Sequence, residues 1–121
     1  ELEILDENNS DKLLNIFDNT FKIQENQSDI ISNHIQKSPY KVVVSGDFNN
    51  TAYSYVYKLL KGDLVDSFNS AGSGFGRTYN FKYFPMRIDF ILMDSSFRIN
   101  NFKTFNNNLS DHFPIISTFS L

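Results

Sequence analysis

The sequence predicts an α/β (α+β) fold, a β-sheet with flanking helices, on three observations. The stretch from Ser10 to about Lys37 lacks glycine and proline, a continuous β-branched run stands at Val42–Val44, and three alternating apolar segments close the chain. At 121 residues, elements of this kind describe one domain around one core.

Each element has a local reason. Ser10 is placed to cap the first helix and Asp11 to favour its N-terminus, so a helix is expected over residues 10–37. Leu14, Phe17, Phe21, Ile31 and Ile35 fall on one stripe, with Gln24 and Ser28 in its middle, which predicts a helix anchored at both ends and wetter between. Ser38 precedes Pro39 and is pushed out of helical geometry, ending the helix. His34 falls in the last turn, where a positive charge suits the helix dipole, so a capping or solvent role is expected for it rather than a catalytic one.

"YKVVVSGDFNN" then reads as a strand covered on both faces and stopped by Gly46. "TAYSYVYKLLKGD" reads as a short helix capped by Thr51 and ended by Gly62. "AGSGFGRTYNF" packs three glycines into five residues in neither a dinucleotide nor a P-loop pattern, which leaves a mobile loop over a cleft or an ordinary connection. "RIDFILMD", "FRINNFKTF" and "FPIISTFSL" are the closing strands, the last two separated by the turn "FNNNLS".

Composition narrows the function classes. Hydrophobic residues at 40% and charged residues at 21% suit a globular chain, and no apolar run approaches the roughly 18 residues of a membrane span. Cysteine is absent, which excludes disulfides, thiolate zinc sites and a cysteine nucleophile, so any metal is held by oxygen or imidazole. A net charge of −3 argues against general affinity for nucleic acid but permits an enzyme that touches one or two phosphates. Thirteen phenylalanines are mostly core, with an aromatic-walled substrate cleft as the alternative. The chain begins at Glu1, so it is expected to be a piece of a longer protein whose targeting segment lies outside it, and the compartment stays open.

Three acidic motifs share one design, each placing polar residues in or beside an apolar strand. "GDFN" carries Asp47 and Asn49, "RIDF" carries Asp89, and "SDH" carries Asp111 and His112. A carboxylate in such a place is costly to desolvate unless it meets a metal, a proton or a donor, and one shared site is the economical explanation. The residue types suit phosphoester hydrolysis. Neighbouring carboxylates hold a hard divalent ion such as Mg2+ (or Mn2+), a carboxylate deprotonates water, and an imidazole stabilises the charge developing on phosphorus-bound oxygen. An Asp bonded to a His fixes its tautomer and favours the imidazolium, which is the reason to pair Asp89 with His112.

The ordered set "VVVSGDFNN", "RIDFIL" and "LSDHFPI" resembles the C-terminal half of the magnesium-dependent endonuclease/exonuclease/phosphatase (DNase I-like) superfamily. "GFGRTYNFKYFPMRIDFIL" looks closest to a bacterial branch of it. The resemblance implies half of a four-layer α/β/β/α sandwich, with residues 1–121 as the C-terminal part of the domain and the motif-bearing sheet region over 40–121. It implies that Asp47 activates or orients the water, Asn49 contacts the scissile phosphate, Asp111 is a metal ligand or supports one, His112 stabilises the phosphoryl oxygens and Asp89 orients His112. Arg77 and Arg87 flank these elements, and a surface or salt-bridge role is expected for each, with contact to a phosphate as the alternative. Tyr79 is a cleft wall or core, and Asp63 and Asp66 are given no chemistry.

The superfamily also carries an early asparagine strand, a principal metal-binding glutamate and a later histidine strand, and none has a counterpart here: Glu3 lies in an isolated "LEIL" and Glu25 in the helix. The expected function is therefore a fragment of a metal-dependent phosphoesterase, inactive or weakly active alone. Its partners would be a phosphoester substrate, either nucleic acid or a small phosphorylated molecule, and the missing N-terminal half of the same domain. The alternative is a binding or assembly module that self-associates through an exposed sheet face.

Overall fold

The computed structural model describes residues 7–107 and 109–121, so the "LEIL" segment around Glu3 and Asn108 of the predicted turn lie outside the described residues. The elements run α1 (Glu7–Gln36), β1 (Val43–Asp47), α2 (Tyr55–Lys61), β2 (Val65–Asp66), α3 (Ser67–Ala71), β3 (Asp89–Met93), β4 (Arg98–Thr104) and β5 (Ile115–Ser120). They form two antiparallel sheets, one ordered β1-β3-β2 and the other β4-β5, rather than the single sheet expected. Helices flank them, so the mixed fold class stands.

Strand β3 is central because its side chains are covered. Phe90 and Leu92 point into one cluster with Tyr57 and Leu64, and Ile35, Val42, Val44 and Phe48 pack around it. The rings of Phe48 and Tyr57 meet Phe90 at centroid distances of 4.9 and 4.7 Å. By strand alternation, Asp89 projects from the opposite face to Phe90. Val44 turns to the core, but Val43, Ser45 and Asp47 are exposed. The strand expected to be covered on both faces is thus covered on one.

Helix α1 differs from expectation in the same physical way. Ser10 lies inside it rather than capping it. Its anchor is the C-terminal half, where Ser28 and Ser32 are buried, small enough to let α1 lie close to α2. Leu14, Phe17 and Phe21, expected to hold the N-terminal end, are exposed, Phe17 at 57%. An apolar stripe specifies a face, not what covers it. The cap of α2 is Ser54, whose Oγ accepts from the Tyr57 N–H at 3.1 Å, three residues beyond the expected Thr51. Gly62 ends α2 as expected, with φ 42° and its N–H on the Lys58 carbonyl. Strand β1 runs through Gly46 to Asp47, and Asp89 heads β3 instead of lying inside it. Among the described residues no helix is long and apolar enough to cross a membrane.

Candidate active site

The β1–β3 register brings Val43 opposite Met93 and, four steps on, Asp47 opposite Asp89. Opposed residues of an antiparallel pair project from the same face, so the two carboxylates stand side by side at one end of the sheet. Beyond Asp47 the chain turns sharply. Asn49 takes φ 49°, a left-handed conformation that asparagine tolerates, and its N–H donates to Asp47 Oδ1 at 2.8 Å. That bond engages one carboxylate oxygen and leaves Oδ2 to face the third member of the group.

His112 arrives from the far end of the chain. Its N–H donates to Ser110 Oγ at 3.1 Å, it forms an isolated bridge with Tyr79, and the Phe113 N–H donates to the Thr78 carbonyl at 2.7 Å. These contacts set its ring with Nδ1 2.9 Å from Asp89 Oδ2 and Nε2 3.8 Å from Asp47 Oδ2. The hydrogen bond that Asp89 accepts from the ring raises the His112 pKa above its ordinary value, and the charges of Asp89, Asp47 and Asp111 act in the same direction against partial desolvation. An imidazole between two carboxylates thus holds its second proton more tightly than in water, and Nε2–H becomes a donor beside Asp47. The ligand atoms of Asp47, Asp89 and His112 lie within 4.8 Å of one another, a spacing that a metal ion can also use.

The remaining expected site residues divide. Asp111 is exposed, its Oδ1 accepts from Ser110 Oγ at 3.1 Å, and it adjoins the three-residue group without belonging to it. Arg77 is exposed and stacks on the Phe113 ring at 4.6 Å. Arg87 takes the salt-bridge role: its Nη1 is 2.7 Å from Asp66 Oδ2, with side chains 11% and 0% exposed. Tyr79 is half-buried with its ring 5.0 Å from that of His112, walling the site. His34 is exposed in the last turn of α1, away from this group.

Two residues were missed from the sequence. Asp66, given no chemistry, is buried and accepts from Tyr57 Oη and Arg87 Nη1, both at 2.7 Å, and from the Phe68 N–H at 3.0 Å. Burial and the bond to Asp66 push the Tyr57 pKa up to about 12. Thr78 is fully buried, and its Oγ1 accepts from the Ile88 and Asp89 N–H groups at 3.0 and 3.1 Å. Asp66 stands before "SF" as an N-cap, a signal that was readable; Thr78 left none.

The family model described as Endonuclease/Exonuclease/phosphatase family matches residues 18–112, a span that starts in α1, takes in Asp47 and Asp89 and ends on His112. The chain belongs to the endonuclease/exonuclease/phosphatase family. No curated protein sequence matches it. Among solved structures, an endonuclease/exonuclease/phosphatase family protein from Bacteroides thetaiotaomicron superposes with a TM-score of 0.64 at 22% identity, over 81% of this chain and 44% of that one. A conserved protein of unknown function from Enterococcus faecalis gives 0.64 at 23% identity over 76% and 42%. A mannosyl-6-phosphatase from Bacteroides thetaiotaomicron gives 0.56 at 22% identity over 84% and 44%. At these identities the likeness is one of fold, and this endonuclease/exonuclease/phosphatase chain spans less than half the length of each of the three.

Proposed function

We propose that this chain carries part of the catalytic site of a divalent-metal-dependent phosphoesterase, in which water attacks a phosphodiester or phosphomonoester directly. The observation that carries the reading is the His112 ring held between Asp89 at 2.9 Å and Asp47 at 3.8 Å. Family membership supports phosphoester chemistry, and the −3 charge favours a small phosphorylated molecule over nucleic acid as substrate.

In this reading Asp89 fixes the His112 tautomer and stabilises its cationic form, and the Nε2–H donates to a phosphoryl oxygen as negative charge builds there. Asp47, one oxygen held by the Asn49 N–H, orients the attacking water and takes its proton. The Asn49 amide donates to a second phosphoryl oxygen. The donors fit a divalent ion: three ligand atoms lie within 4.8 Å and two are carboxylate oxygens, as a hard cation prefers. Asp47 and Asp89 are the carboxylates of that group, and the exposed Asp111 adjoins it as a further ligand or a support for one. Magnesium or manganese there supplies charge neutralisation at phosphorus and a more acidic water. Because the chain spans under half of its structural neighbours, the ligand set is completed by the N-terminal half of the domain, and this chain turns over little or not at all.

Magnesium- or manganese-dependent hydrolysis of a chromogenic phosphodiester tests this, with His112→Ala and Asp47→Asn alongside. Silence in all three, from folded protein, is expected, with the same substitutions abolishing turnover in the longer protein. Robust hydrolysis by the chain alone, lost in both variants, would refute the incompleteness, and full activity of the longer protein without His112 would refute the site.

A second reading rests on the exposed apolar residues of α1 and on Val43, which is 43% exposed: a non-catalytic module that dimerises or binds a partner through this surface. Sedimentation at several concentrations decides it, since a strictly monomeric folded species counts against self-association.

A further inference from the structure

We infer that Gln24 of α1 is a positioning residue for the candidate site: its side-chain amide, acting through Asn50, holds the turn that presents Asp47 and Asn49. The inference rests on the phosphoesterase reading above and extends it to a residue outside the three acidic motifs.

The turn needs holding. Asn49 stands at φ 49°, a sparsely populated conformation for a residue with a Cβ, and such conformations persist only where the surroundings over-determine them. In that conformation the Asn49 N–H reaches Asp47 Oδ1 at 2.8 Å, which fixes the way the carboxylate faces. On the sheet side the turn is anchored: the Phe48 N–H donates to the Ile88 carbonyl at 2.8 Å, and the Phe48 ring lies 4.9 Å from that of Phe90. Across the turn, Asn50 Nδ2 donates to the Phe48 carbonyl at 3.0 Å and closes the chain around Asn49.

A side-chain amide nitrogen carries two hydrogens. The second one of Asn50 goes to Gln24 Oε1, also at 3.0 Å, on a residue 26 positions away in the chain. Gln24 thereby settles the orientation of the Asn50 amide, since the Nδ2 edge has both its partners only when it faces Phe48 and Gln24 together. Without the Gln24 acceptor, the bond that closes the turn loses the contact that orients its donor.

The helix meets the turn here by hydrogen bonding rather than by packing. From Asp11 to Ile23 every α1 residue is exposed, and Gln24, the next, is partly covered. A pocket of about 260 Å³ separates Gln24, Gln27 and Ser28 on the helix from Asp47, Phe48 and Asn49, and the Gln24–Asn50 bond bridges the two sides. Below Gln24 the helix is docked: Ser28 is buried, and its Oγ donates to the Gln24 carbonyl at 2.6 Å. The two polar residues in the middle of the apolar stripe thus share one use, to bring an amide acceptor to the Asp47 turn.

The test is amide exchange with water, followed by NMR on the whole chain, in Gln24→Met, which keeps the length and removes the acceptor, and in Gln24→Glu, which keeps an acceptor. Gln24→Met is expected to speed exchange at the Asn49 amide about fivefold, the weight of one neutral hydrogen bond, and to shift the Asn50 side-chain amide signals. The Leu92 amide, in the buried part of β3, should keep its protection, and Gln24→Glu should stay close to wild type. In an Asn50→Ala background Gln24→Met should add nothing, because the donor is already gone. Unchanged exchange at Asn49 overturns the inference, and so does equal acceleration at Asn49 and Leu92, which would assign Gln24 to helix docking in general. In the longer protein Gln24→Met should lower kcat about fivefold, by the same hydrogen bond, and more than it raises KM. Normal kcat beside a loosened turn overturns the positioning role. Full turnover of the longer protein with Asp47→Asn would instead overturn the phosphoesterase reading of the site, while leaving the exchange result at Asn49 in place.

Discussion

Asp47 and Asp89 are direct partners across the β1–β3 ladder, two carboxylates opposed at the end of a sheet. Like charges in that position repel. What offsets the repulsion is His112, 2.9 Å from one and 3.8 Å from the other, so the protonation of a single ring sets the balance of the group.

The first prediction concerns that proton. The Asp89 hydrogen bond, helped by the surrounding carboxylates, raises the folded-state pKa of His112 above its unfolded value near 6.5. A raised histidine pKa contributes stability that is fully present below about pH 6.5 and is lost as pH rises through the folded value. Asp89→Asn should move the His112 midpoint down towards the ordinary value in an NMR titration of its ring protons, and should flatten the decline in stability above pH 6.5. An unchanged midpoint would show that Asp89 does not set the ring's charge.

The Asp66–Arg87 pair predicts a different kind of loss. Both side chains are almost wholly withdrawn from water, 0% and 11% exposed, and removing one partner leaves the other charge uncompensated. Asp66→Asn should cost about 3 kcal/mol in urea unfolding. Asp66→Asn with Arg87→Met should recover part of that, because the stranded guanidinium is gone. Equal losses in the single and double variants would mean that the carboxylate acts mainly through Tyr57 and the Phe68 N–H.

How far the sequence could be read follows from the range of each interaction. The β-branched run at Val42–Val44 and the alternation after Arg87 reported strands because side-chain chemistry and strand period are local. The proximity of Asp89 and His112 was legible because each motif was recognisable and imidazole chemistry gives a reason to pair them. The α1 stripe misled because periodicity does not say which part of a face meets the core, and here the buried positions are serines. Ser54 outcompeted Thr51 as a cap, a shift of three residues that composition does not decide. Asp66 and Thr78 find partners 21 and 11 residues away, and no local pattern announces such bonds.

Thr78 yields the third prediction. Its buried hydroxyl accepts from both the Ile88 and the Asp89 N–H, and its carbonyl takes the Phe113 N–H, so it ties the strand that starts at Asp89 to the segment that follows His112. Thr78→Val keeps the shape and removes the acceptor, leaving two N–H groups without a partner and costing about 2 kcal/mol. Thr78→Ser, which keeps the oxygen, should retain most of the stability apart from the lost methyl group. Identical losses in the two variants, measured by urea unfolding, would assign the effect to packing rather than to the hydrogen bonds.

The exposed half of α1 supplies the last prediction, and it separates the observed packing from the one its sequence suggests. If Phe17 and Phe21 anchored the helix in this chain's core, replacing both with lysine would cost several kcal/mol, since removing a buried phenylalanine costs about 3–5 kcal/mol. They are 57% and 56% exposed, so Phe17→Lys with Phe21→Lys should leave the stability of the monomer within about 0.5 kcal/mol, as for ordinary surface changes. The same pair of charges should abolish any concentration-dependent association in sedimentation, because the apolar stripe that would mediate it no longer exists. Loss of stability beyond 1.5 kcal/mol at a protein concentration where the wild type is monomeric would place these rings in the core after all, a threshold about three times the surface effect. Unchanged stability together with unchanged self-association would instead move the interface to the other exposed apolar surface, the Val43 face of β1.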